Sequence, residues 1–253
     1  VAGIIEEHIG IDQFNKDLQR LWDEALLGMP EWKGKDGKSQ FKTANGELKE
    51  GKEFNLPNGG TEKYSSPADF VLASLKMSDE YRYWYERYVE ASEKLLKLNT
   101  RQWDMFNKVL AATSQRTPVE DNMLRTLSIM SEMFGDRFGS TDVISDSSIR
   151  NALNGQLGIE DQLKTGSFNT TFEFIAGRNS TVPLSTNDAI MANVFGLPPA
   201  AFADSFWYES VSRFMINLAG YLNSTQGNKH EPYQSWQLQA LMWVNRGDSR
   251  STQ

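Results

Sequence analysis

The 253-residue chain contains no cysteine. That absence excludes disulfides, thiolate zinc sites, a cysteine-held iron–sulfur cluster and a thiol nucleophile. Histidine is almost as scarce. Only His8 and His230 occur, too few for a histidine-rich metal centre, so neither a metal nor a cofactor is expected. No apolar run approaches the roughly 20 residues a membrane-spanning helix requires, and no signal-peptide pattern opens the chain, so no membrane partner is expected. Positive charge is also short: the net charge is −7, which excludes coating nucleic acid through bulk electrostatics but leaves room for a local basic groove. The common catalytic signatures are missing as well, namely the Walker A loop, HExxH, GxSxG and the Rossmann glycine fingerprint.

What remains is enough for a folded body. The chain is 39% hydrophobic, 11% aromatic and 23% charged, a balance that buries a core and disfavours disorder. It begins at Val1 rather than Met, consistent with a fragment or with processing. Apolar residues recur at helical spacing in residues 11–29, with Phe14, Leu18, Leu21, Trp22 and Leu26 on one face, Asp12 as a cap, and Gly28 and Pro30 as the stop. Residues 30–64 break the pattern. Rich in Gly and Lys, they read as a surface insertion with a small β-hairpin around Gly37 or Asn45-Gly46.

Ser66 and Pro67 then open a helix over 67–77, and Ser78 opens a longer one over 78–98 that carries the aromatic run YRYWYERY. Residues 103–113 form a further helix whose small Ala111-Ala112 pair lets a neighbour approach closely. Thr117-Pro118-Val119-Glu120 fits a capping box for a helix to about Phe134, and the Gly-containing residues 135–142 form a loop. Short helices follow at 146–154 and 159–164, then long ones at 200–223 and from Pro232 to Gly247, with a frayed tail over 248–253. The expected fold is all-α: a single domain over 1–253, a compact orthogonal helical bundle with an inserted Gly/Lys-rich arm at 30–64.

The candidate chemistry lies in residues 163–196. The sequence predicts a turn at Thr165-Gly166-Ser167, an apolar helix with Phe168, Phe172 and Ile175 on one face, a break at Gly177, and an extended Val182-Pro183-Leu184. A second helix then opens at Ser185 or Thr186, with Asp188 in its first turn, where a carboxylate suits the positive end of the helix dipole. The acidic pairs Glu120-Asp121 and Glu160-Asp161 lack metal-ligand spacing and read as solvated helix starts.

This stretch resembles the helix-hairpin-helix DNA glycosylase superfamily, the endonuclease III-like group. Gly166 matches the first glycine of its hairpin and Asp188 its catalytic aspartate; the two are 22 residues apart (188 − 166). The second hairpin glycine is Phe168 here. Thr170 occupies the position of the lysine nucleophile, with Lys164 just before the turn as an unaligned substitute. The resemblance implies DNA as a partner, a phosphate held by Lys164, Gly166, Ser167 and Arg116, with Arg178 also on the rim of a positive cleft. It further implies a flipped base in a pocket lined by Trp84, Tyr85 and Trp243, and Asp188 as the acid facing a cationic sugar.

A second resemblance, carried by WYERYVEA (84–91), VLAATSQRTPVEDN (109–122), residues 164–197 and QLQALMWVNRG (237–247), is to an uncharacterised domain family of tailed phages. Two functions follow as expectations. One is a DNA-acting phage protein that excises or modifies bases. The other is a non-enzymatic virion or ejected protein with other virion proteins as partners. The location implied is the virion or the cytoplasm of the infected bacterium.

Overall fold

The structure, a computed structural model, describes residues 1–27, 64–113, 119–134, 163–197, 201–203, 205–227 and 230–247. An N-terminal turn, Ala2–Ile4, continues as one turn of π-helix, Ile5–Ile9, closed by a bond from Gly10 N–H to the Ile5 carbonyl at 2.8 Å. The longer helices are α1 (Ile11–Leu27), α2 (Pro67–Leu75), α3 (Asp79–Arg82), α4 (Trp84–Leu96), α5 (Thr100–Thr113), α6 (Val119–Phe134), α7 (Leu163–Ile175), α8 (Ala189–Val194), α9 (Ser205–Gln226) and α10 (Ser235–Gly247). A 3-10 turn, Ala201–Ala203, precedes α9. No strand occurs among the described residues, and the fold is all-α as the periodicity predicts.

Residues 30–63 of the insertion expected over 30–64, the loop at 135–142, the helix expected at 146–154, residues 159–162 of that expected at 159–164, and the tail 248–253 lie outside the described residues. Several boundaries differ from the sequence reading. The single helix expected over 78–98 is two, α3 and α4, separated at Tyr83. The helix expected at 200–223 runs over Ser205–Gln226, and the last helix begins at Ser235 rather than Pro232.

The described chain divides into two compact units, one formed by Val1–Trp84 with Asn187–Gln253, the other by Tyr85–Thr186. Nothing in the sequence marks these borders. One falls inside the aromatic run and the other inside the candidate stretch.

The first unit is built around α10. All eight residues from Ser235 to Met242 are buried, and α10 packs against α2, α3, α8 and α9. A helix enclosed on all sides must satisfy whatever polar groups it carries. Asn245 does so by accepting from Tyr64 Oη at 2.7 Å and donating to Ser74 Oγ at 2.9 Å. Around it Phe14, Leu18, Val71, Phe214 and Leu218 are buried, each worth about 1.5–3 kcal/mol relative to exposure. Trp22 stacks on Phe195 at 5.6 Å and meets Phe214 edge-on at 5.7 Å. α2 starts where its sequence says: Ser66 caps it, its Oγ accepting from Asp69 N–H at 3.2 Å, and Pro67 fills the first helical position.

In the second unit α5 packs on both α6 and α7, with Ala111 fully buried. Phe168 and Phe172 stack at 4.7 Å on one face of α7, as its spacing predicts, and Tyr85 and Tyr88 of α4 meet Phe172 edge-on. Gly177, at φ 68°, ends this helical run. Its left-handed backbone turns the amides of Arg178 and Asn179 back onto the Glu173 carbonyl, at 2.8 and 3.1 Å.

Candidate functional site

Asp188 is the N-cap of α8. Its backbone is extended (φ −129°, ψ −172°), and its Oδ1 accepts from the amides of Ile190 at 2.9 Å and Met191 at 3.0 Å. The cap was expected at Ser185 or Thr186; the helix starts later, and the carboxylate itself ties up the free amides. Its second oxygen, Oδ2, accepts from the Trp243 indole Nε1 at 3.0 Å. The preceding residue is anchored just as firmly. Asn187 is buried, its amide N–H donates to Tyr208 Oη at 3.2 Å, and its Nδ2 donates to the Tyr208 carbonyl at 3.0 Å and to Ser212 Oγ at 2.9 Å.

The turn expected at Thr165-Gly166-Ser167 is not there. These residues are helical, within α7, and Gly166 is not among the glycines with a positive φ. The intrinsic penalty of a helical glycine is only about 1 kcal/mol, and the burial of Phe168 and Phe172 outweighs it. Ser167 is buried, a full turn inside the helix, and its carbonyl accepts from Thr171 Oγ1 at 2.8 Å. Its amide lies within the helix rather than in a hairpin turn. Lys164 is half-buried in the first turn of α7. Arg178 is engaged locally, its guanidinium 4.8 Å from the Trp103 ring centroid and 3.4 Å from Glu93. Arg116 lies outside the described residues.

Of the three expected pocket residues, Trp243 belongs to the first unit and is spent on Asp188. Trp84 is half-buried and closes the first segment of that unit. Tyr85 is 3% exposed in the core of the second unit, with Phe168 and Phe172 at 6.0 and 5.8 Å. Gly166 and Asp188 fall in different units.

Two functional-looking residues were missed. Arg82 is 8% exposed. Its Nε donates to Gln237 Oε1 at 3.2 Å, its Nη2 to the carbonyls of Glu231 and Pro232 at 2.9 and 3.1 Å, and its guanidinium lies 4.1 Å from the Tyr233 ring centroid. Next to it, Tyr83 Oη donates to Glu231 Oε2 at 2.6 Å. Burial, and then that bond, push the Tyr83 phenol up to about 12. The only sequence signal for this pair is its place in the aromatic run; its partners lie about 150 residues on. Among the described residues no group of three or more His, Asp or Glu side chains could hold a metal ion, and no helix is long and apolar enough to cross a membrane.

Comparison of the chain with protein-family models, with curated proteins and with solved structures finds no match.

Proposed function

We propose that this chain is a non-catalytic structural protein of a tailed phage, packaged in the virion or carried within an ejected polypeptide. The observation that supports this reading is the state of the Asp188 carboxylate. An acid that stabilises a cationic sugar or activates a nucleophile keeps lone pairs directed at the substrate. Asp188 gives three of its roughly four lone-pair directions to Ile190, Met191 and Trp243. It is thus spent on starting α8 and tying it to α10. The helical backbone over Thr165-Gly166-Ser167 is also not the glycine turn that the glycosylase resemblance implies. The phage assignment itself rests on the sequence resemblance described above.

The test is the composition of purified particles. A fixed stoichiometry of this chain in them supports a structural role, and its absence from them refutes it. In parallel, the chain and its Asp188→Asn variant are assayed for base release or base modification on duplex DNA, and for salt-dependent DNA binding. Activity in the parent that the variant loses would reinstate the DNA-acting reading.

A further inference from the structure

We draw no further inference here: the strongest candidate, the surface patch on the outer face of α9 where Ile216 is 40% exposed and Gly220 has nothing within 4 Å of where a Cβ would stand, carries nothing because nothing among the described residues shows what would cover it.

Discussion

Asp188 and Trp243 lie 55 residues apart in sequence and are joined by one hydrogen bond of 3.0 Å from the indole nitrogen to Oδ2. The same carboxylate caps α8 through its other oxygen, so one side chain both starts a helix and fastens it to α10. Asp188→Ala removes both functions and is expected to cost about 2–3 kcal/mol, a cap of ~1 and a charged hydrogen bond of ~1.5 or more. Asp188→Asn keeps a capping oxygen and is expected to cost less. Urea denaturation of the two variants checks this. A midpoint for Asp188→Ala equal to that of the parent would remove the structural role assigned to the residue.

Arg82 predicts a contrast between two cations. Its flat guanidinium serves Gln237, Glu231 and Pro232 at once while facing the Tyr233 ring, a geometry an ammonium cannot copy. Arg82→Lys therefore keeps the charge yet is expected to lose about 2 kcal/mol, since hydrogen bonds to charged groups are worth about 1.5–3 kcal/mol each. Equilibrium unfolding gives the value, and a loss within error of zero contradicts the clamp.

Alkaline pH is expected to weaken the fold through its tyrosines. Burial pushes Tyr88 up to about 12, and burial followed by the bonds to Glu231 and Asp17 does the same to Tyr83 and Tyr221. Each folded value lies above the ordinary 10, so the unfolded chain sheds these protons first. The stability they contribute is complete below pH 10 and is lost as pH rises toward 12. The thermal midpoint should fall across that window, and tyrosinate absorbance in the folded protein should lag the unfolded chain. Tyr88→Phe should soften the fall; an identical slope in that variant would count against the assignment.

Two backbone positions give opposite expectations. Lys97, just after α4, adopts φ 47°, a left-handed conformation that costs a residue with a side chain about 1–2 kcal/mol. Lys97→Gly relieves it and, after the entropy glycine adds to the unfolded chain, should stabilise by up to about 1 kcal/mol. Gly177 at φ 68° has nothing within 4 Å of where a Cβ would stand, so Gly177→Ala should lose about 1 kcal/mol from conformational strain alone. Both shifts are read from thermal unfolding, and a reversal of either sign would exclude the backbone account.

The elements legible in the sequence are those that local chemistry decides. Ser66 and Pro67 announce α2, and the spacing of Phe14, Leu18 and Leu21 announces α1, because cap and stripe are sequence-local. Gly166 misled for the complementary reason. A glycine flanked by Thr and Ser suggests a turn, but the packing of Phe168 and Phe172 beneath Tyr85 and Tyr88 holds the backbone helical. The interruption at Tyr83 could not be read either, since Arg82 and Tyr83 are committed to residues 231–233 far along the chain. Asp188 was legible as a residue at a helix start; its bond to Trp243, 55 residues on, was not.

The enclosed position of α10 orders events during synthesis. The second unit is one unbroken segment, Tyr85–Thr186, so all of its contacts are available once that segment has left the ribosome. Residues Val1–Trp84 emerge before that segment yet have their central support, Ser235–Gly247, delivered after it. During translation the segment Tyr85–Thr186 can settle while Val1–Trp84, made before it, still waits for its axle.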